Sequence, residues 1–106
     1  MEQMASQSIE ARLSALGDPN RRAIFDLLSN GSRSVGEIAK RLPITRSAVS
    51  QHLRVLSDVG LVNHEPHGTR NIYSVDPDAV AEIRDYLDAV WTKALARFKS
   101  RAERRK

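Results

Sequence analysis

The sequence contains no cysteine, only 5% aromatic residues and no apolar run long enough to cross a membrane. The lack of cysteine excludes disulfides, thiolate metal sites and thiol-based redox sensing. A membrane helix needs about 18 consecutive apolar residues, so the sequence predicts no membrane partner. The opening MEQMASQSIEARL also lacks the basic start and apolar stretch of a signal peptide, which predicts a cytoplasmic protein.

The charges that are present are unevenly distributed along a chain whose 106 residues suit one modest domain. The formal net charge is +4, with an excess of three positive charges over residues 33–70 and five over residues 97–106. Residues 76–88 carry an excess of four negative charges. A basic region in such a domain is compatible with a polyanionic partner, although a solvated surface has the same composition.

Apolar periodicity predicts the order helix, helix, helix, turn, helix, hairpin, helix. Capping residues support this order: Asp18 with Pro19, Ser34 with Glu37, Thr45, and Asp76 with Pro77. The first helix is expected at about 6–16, a helix-turn-helix at about 34–59, a wing at about 61–75 and the last helix at about 77–100. The predicted fold is mostly α with a small β-hairpin, a winged helix-turn-helix in a single domain, 1–106.

The predicted fourth helix, TRSAVSQHLRVLSDVG, divides into a buried stripe and an opposite polar face. At about 100° per residue, Val49, Leu53 and Leu56 share the stripe. The outward face carries no acid before Asp58 and presents Ser47, Ser50, Gln51 and Arg54. Hydroxyl, amide and guanidinium groups bond base edges and phosphates in the major groove. The pattern therefore favours a helix that reads DNA over an ordinary solvated face.

Histidines do not form an evident chemical site in this sequence. His52 falls at the flank of the buried stripe, where packing at the core edge explains it better than a base contact or catalysis. His64 and His67 lie on the hairpin without an obvious ligand partner nearby. The sequence also lacks a nucleophile–base pair and a phosphate-binding glycine loop, so it predicts no enzyme activity, no metal and no cofactor.

The hairpin joins the strand-like runs LVNHE and RNIYSV around PHGT. Gly68 permits a tight turn at its tip. Thr69 and Arg70 follow that turn, and an arginine there can enter a narrow minor groove or bind a phosphate. An ordinary solvated loop is the alternative interpretation.

The last helix carries an apolar stripe that is too long for a small helical core to cover. The stripe and the first helix together predict a homodimer interface with these members: Ile9, Leu13, Leu87, Val90, Trp91, Ala94 and Phe98. Twofold symmetry would present two reading helices to a pseudo-palindromic site. Two questions stay open: whether the tail 97–106 contacts phosphate or is solvated, and whether Asp78, Glu82 and Asp85 bind a hard cation weakly.

The motifs over about residues 13–75 resemble those of ArsR/SmtB-type winged helix-turn-helix transcriptional repressors. The likeness lies in LGDPNRRAIFDLLSNG, in VGEIAKRLPITRSAVSQHLRVLSDVGLV and in HGTRNIYSV. It implies double-stranded DNA as the partner, with operator contacts at the matching positions Arg46, Ser47, Ser50 and Gln51. The expected function is that of a homodimeric, sequence-specific regulator of transcription. A winged-helix module that binds protein and does not read DNA is the alternative.

The sequence departs from the metal-sensing members of that family. Those members carry a cysteine pair in the third helix, where this chain has VGEIAKRL, or Asp and His ligands on a last helix that here contains no histidine. Neither sensor site is carried over. The chain is similar instead to cysteine-free branches such as the SdpR-like autorepressors.

Overall fold

The computed structural model describes residues 8–104. Its elements are α1 (Ile9–Ala15), α2 (Pro19–Ser29), β1 (Arg33–Ser34), α3 (Val35–Arg41), α4 (Arg46–Asp58), β2 (Val62–His67), β3 (Arg70–Val75) and α5 (Pro77–Arg104). The expected mostly α winged helix-turn-helix is confirmed, with one addition, the two-residue strand β1. Residues 6, 7, 105 and 106, assigned from sequence to the first helix and the tail, lie outside the described residues. Within residues 8–104, every helix is too short or too polar to span a bilayer.

Side-chain caps fix where the helices begin. Asp18 Oδ1 accepts hydrogen bonds from the backbone N of Asn20 at 2.8 Å and of Arg21 at 3.0 Å. In the predicted capping box, Ser34 N donates to Glu37 Oε1 at 2.8 Å and Glu37 N donates to Ser34 Oγ at 3.2 Å. The bonds that backbone N–H groups donate to the two carboxylates favour their charged form, and they lower the pKa of Asp18 and of Glu37.

One apolar core joins all the helices to the sheet. Its fully buried large side chains are Ile24, Ile38, Val49, Leu53, Leu56 and Leu61. The three residues of the predicted α4 stripe are among them, so the angular assignment of that helix is confirmed. Ala79, near the start of α5, also enters the core and attaches the first turn of that helix to the domain.

Helix α4 ends in a tight turn that leads directly into the wing. Gly60 has a positive φ of 79°, a conformation that favours glycine over residues with a side chain. Gly60 N donates to Ser57 O at 3.0 Å and Leu61 N donates to Leu56 O at 2.9 Å, the bond pattern of a Schellman motif. The turn therefore places buried Leu61 beneath α4 and starts β2 at a fixed angle.

The wing belongs to a three-stranded antiparallel sheet of order β1-β3-β2. β2 and β3 pair from Val62 with Val75 to His67 with Arg70, so the connecting turn contains two residues. The turn is thus shorter than the four-residue PHGT stretch inferred from sequence. Pro66 lies within the ladder and does not end it, and it is tolerated because β2 is an edge strand.

Helix α5 is longer than expected and extends beyond the core. Its 28 residues span about 42 Å, and it is helical to Arg104, whereas the sequence predicted an end near residue 100. Ala79 is buried, but the large apolar side chains farther along are exposed. The described part of the basic tail is therefore an exposed helical extension.

Candidate DNA-binding surface

The outward face of α4 is positioned by its cap and by its buried stripe. Thr45 Oγ1 accepts a hydrogen bond from Ala48 N at 3.0 Å, which fixes the first turn. With the apolar stripe fully buried, the opposite polar side chains are turned to solvent. The exposed set comprises Arg46, Ser47, Ser50, Gln51 and Arg54. All five predicted α4 residues are thus accessible to a partner on a helix whose rotation is set by packing.

Three of these side chains line a cleft of about 410 Å³ between α4 and the sheet: Ser50, Gln51 and Arg54. The far wall contains His64 and Tyr73, whose ring centroids lie 5.1 Å apart. Asp58 lies at the end of this cleft, in the last turn of α4. A polar face next to an aromatic wall can bond base edges while its rim contacts the sugar–phosphate backbone.

Arg46 belongs to a second cleft, of about 380 Å³, between the starts of α3 and α4 and the tip of the wing. The structure brings Arg46, Thr69 and Arg70 together there, although they are up to 24 positions apart in sequence. A Cβ added to Gly36 would lie 3.1 Å from Arg46 Nη1, so the guanidinium lies across the first turn of α3. Lys40 also lines this cleft, and its charge adds to those of the two arginines.

The acidic side chain in this second cleft is already engaged. Glu37 bonds Ser34 N in the capping box, and this bond is the main reason that its pKa is lowered. The charges of Arg70 and Arg33 lower the pKa of Glu37 further. Because the carboxylate caps α3 and is partly balanced by arginine, the cleft keeps an excess of positive charge that suits a phosphate.

Lys40 and Tyr73 were not selected as site residues from sequence. Lys40 lies in the last turn of α3, where a lysine equally suits the negative end of the helix dipole. Tyr73 lies on β3 and reaches the site only because the sheet folds back beside α4. A local pattern therefore gave no reason to choose either residue.

His52 is half-buried at the edge of the core, as predicted. Its charge contributes slightly to the lowered pKa of Asp18, after the larger effect of the backbone bond from Arg21. His52 thus lies beside the cap of α2 and away from the outward face of α4. Among residues 8–104, no three His, Asp or Glu side chains converge as a metal site would require, and Glu82 instead bonds Arg12.

The predicted dimerisation residues form an exposed surface on α5 with a smaller part on α1. Trp91 is 64% exposed and Phe98 71% exposed, while Ile9 and Leu13 are half-buried. Leu87, Val90 and Ala94 are also exposed. Large apolar side chains in solvent at regular helical spacing are typical of a surface that is covered by another protein chain.

Comparison with known proteins places the chain in a family. Residues 16–65 match the family described as a helix-turn-helix domain. The chain is 49% identical over 84 residues to the HTH-type transcriptional regulator Rv2034 of Mycobacterium tuberculosis, covering 79% of this chain and 78% of that protein. It is 34% identical over 73 residues to the transcriptional repressor SdpR of Bacillus subtilis, covering 69% and 81%.

A solved structure gives the same relationship. The homodimeric winged helix-turn-helix DNA-binding domain of Mb0332 from Mycobacterium bovis is described as a possible ArsR-family transcriptional regulator. It matches with a TM-score of 0.66 and 30% identity, over 82% of this chain and 81% of that one. The chain therefore belongs to the ArsR family of winged helix-turn-helix transcriptional regulators, which are DNA-binding proteins and not enzymes.

Proposed function

We propose that this protein is a homodimeric cytoplasmic repressor that binds a pseudo-palindromic operator through α4 and the wing. The observation that carries the proposal is the outward face of α4, which is polar, accessible and free of acid before Asp58. Phosphates repel carboxylates, so such a face suits DNA better than a generic surface would. The name of SdpR, a repressor, supports the direction of regulation.

The proposed contacts are of two types, with base edges and with the DNA backbone. Gln51 and Ser47 read base edges in the major groove, and Ser50 fixes the register of α4. Arg54 lies at the rim of the first cleft and contacts phosphate or a base edge. The second cleft would surround one position of the DNA backbone with residues from α3, α4 and the wing: Lys40, Arg46, Thr69 and Arg70.

A homodimer follows from the apolar surface of α5 and α1. The homodimeric state of the Mb0332 domain supports it. Twofold symmetry would present two copies of α4 on the same side of the DNA, with half-sites about 34–36 Å apart, one turn of the double helix. Covering Trp91 and Phe98 would also remove the largest apolar side chains from water.

Selection of bound sequences from a random DNA pool tests the proposal. We expect a site with two inverted half-sites about one helical turn apart. Gln51→Ala should lose about 1–3 kcal/mol of binding free energy at one base position, with little change at the others. Failure to enrich any sequence would contradict the proposed reading of DNA. A stable protein partner with no DNA retention at low salt would then favour the protein-interaction module.

Arg70→Ala tests the proposed contact with the DNA backbone separately. It should weaken binding to all sequences to a similar extent and reduce the slope of log K against log salt by about 1. Lys93→Ala, which removes an exposed positive charge from α5 outside the basic tail 97–106, is the matched control and should leave the slope unchanged. A reporter gene placed behind the selected operator should fall in expression when the protein is present, and a rise would contradict the repressor assignment.

A further inference from the structure

Arg12 is a buried arginine that joins three helices. Its side chain is 8% exposed although it belongs to the short first helix. Arg12 Nε donates to Val59 O at 2.8 Å, and Arg12 Nη1 donates to Glu82 Oε1 at 2.7 Å. A single planar guanidinium therefore connects α1 both to the end of α4 and to the second turn of α5.

The contact with α4 is made at a place where the helix needs a partner. Val59 is the C-cap of α4, and the last carbonyl groups of a helix have no N–H donor within the helix and carry a partial negative charge. The Arg12 guanidinium supplies a donor and a positive charge at that point. The other contact of the guanidinium is with the Glu82 carboxylate on α5. The same group therefore holds the end of α4 in place relative to α5.

A second polar link connects the wing to the same part of α5. Asn63 Nδ2 on β2 donates to Asp76 Oδ2 at 3.0 Å. Asp76 Oδ1 accepts from Asp78 N at 2.9 Å and Ala79 N at 3.1 Å, which caps α5. Asp76 N donates to Leu61 O at 2.9 Å. Both elements of the candidate DNA-binding surface are thus tied by hydrogen bonds to the first two turns of α5.

We infer that Arg12 is a positioning residue, which sets the angle of α4 relative to α1 and α5 and so the separation of the two α4 helices in the dimer. The inference rests on the proposed homodimer. A two-half-site operator is bound only if both copies of α4 enter the groove at once, so a fixed angle restricts binding to one spacing. A purely stabilising arginine would raise the free energy of unfolding without affecting which spacing is preferred.

Matched variants separate these two roles. Arg12→Met removes both contacts while keeping much of the apolar stem, and Arg12→Lys keeps a charge that cannot form the same two-ended contact. Arg21→Met is the control, since Arg21 is also partly buried and donates to a backbone carbonyl, Ala15 O, at 2.7 Å. That contact joins α1 to α2 and does not reach α4, so it should affect stability alone.

The distance between the two α4 helices can be measured directly, because the chain has no cysteine of its own. A spin label on Ser47→Cys, at the end of α4 away from Arg12, reports the separation between protomers by pulsed electron paramagnetic resonance. We expect one narrow distance in the labelled parent and in the Arg21→Met variant, and a broadened or shifted distribution with Arg12→Met. Arg12→Lys should lie between them, because it keeps a positive charge near Glu82 but cannot make both contacts at once.

The selected operator provides a second measurement. A series of sites with half-site spacings changed one base pair at a time should be discriminated by the parent protein, and Arg12→Met should lose about fivefold or more of that discrimination. Unchanged distances and spacing preference in both Arg12 variants would overturn the positioning role while leaving the homodimer intact. A parent protein that gives no distance between protomers would overturn the homodimer and this inference with it.

Discussion

The apolar side chains of the helix-turn-helix and its wing are mostly buried, whereas those of the second half of α5 are exposed. In α4, Leu53 is 1% exposed and packs among residues from the other elements of the core. In α5, Trp91 is 64% exposed and Phe98 is 71% exposed. The first region buries most of its apolar side chains within one chain, whereas the second leaves its large apolar side chains in water. This difference indicates that the exposed stripe of α5 requires a second surface to cover it, which the core of one chain does not provide.

The same contrast appears in the hydrogen bonds that fix each helix. The starts of α2, α3 and α4 are capped by side chains, and Arg12 holds the end of α4. In α5 the cap by Asp76 and the bond from Arg12 to Glu82 both fall in the first two turns. The helix is therefore anchored at its beginning and exposed over most of its length. Changes in the two regions should have different dependence on protein concentration.

The largest expected effect is in the core. Leu53→Ala should reduce the free energy of unfolding by about 2–5 kcal/mol, because it removes buried contacts and leaves a cavity. Urea unfolding followed by circular dichroism measures this loss. Ser50→Ala, on the outward face of the same helix, is the control and should change little. A loss below about 1 kcal/mol for Leu53→Ala would contradict the assignment of this residue to a tightly packed core.

The next effect concerns the exposed stripe. Trp91→Ala should weaken dimerisation by about 2 kcal/mol or more, roughly 30-fold in the dissociation constant, because large aromatic anchors dominate such interfaces. Sedimentation velocity over a dilution series gives the constant, and circular dichroism checks that the monomer remains folded. Lys99→Ala, on the same helix but not apolar, should leave the constant nearly unchanged. An unaltered constant for Trp91→Ala would place the interface elsewhere.

Loss of a helix cap should have a smaller effect. Thr45→Ala removes the acceptor for Ala48 N and should reduce stability by about 1 kcal/mol. Thr45→Ser keeps a hydroxyl at that position and should restore most of the loss. Thermal unfolding measures both variants at the same protein concentration. Equal melting temperatures for the two variants would show that the hydrogen bond from Ala48 N does not stabilise the helix.

The smallest expected effect near neutral pH is the loss of stability through protonation of the capping carboxylates, which becomes appreciable only in acid. The bond from Asn63 is the main reason that the pKa of Asp76 is lowered, and backbone bonds have the same effect on Asp18 and Glu37. Since a lowered pKa means that the folded state binds fewer protons than the unfolded state, this stability is present above the ordinary carboxyl pKa and is lost as pH falls through the folded-state value.

Urea unfolding at several pH values tests this expectation. The contribution of these carboxylates to the free energy of unfolding should be constant between about pH 6 and 7. It should decline below about pH 4, near the unperturbed pKa of Asp and Glu. Asp76→Asn should make the decline shallower because one of the three shifted groups is removed. An equally steep decline in that variant would mean that Asp76 does not contribute.

Short-range patterns in the sequence were sufficient for much of the fold. The caps at Asp18, Ser34, Thr45 and Asp76 were predicted from residue types a few positions apart, and each makes the expected bonds. The buried stripe of α4 was predicted from helical periodicity and is confirmed. The family was also identified from these motifs and is confirmed by the comparisons. The assignment of individual DNA contacts and dimerisation residues is still a prediction.

The sequence by itself therefore determined where α2, α3, α4 and α5 begin, which face of α4 is buried and which family the chain belongs to, because those signals lie within one or two turns. The first helix was expected from about residue 6, but it begins at Ile9, after the extended N-cap Ser8. The tertiary structure alone decided three features. The strand β1 exists because two residues pair with β3, and two residues carry no periodic signal. Lys40, Arg46 and Arg70 share a cleft because the wing folds back over α3. Arg12 meets Val59 and Glu82 across 47 and 70 positions. Such pairs depend on how whole elements pack, which no local pattern contains.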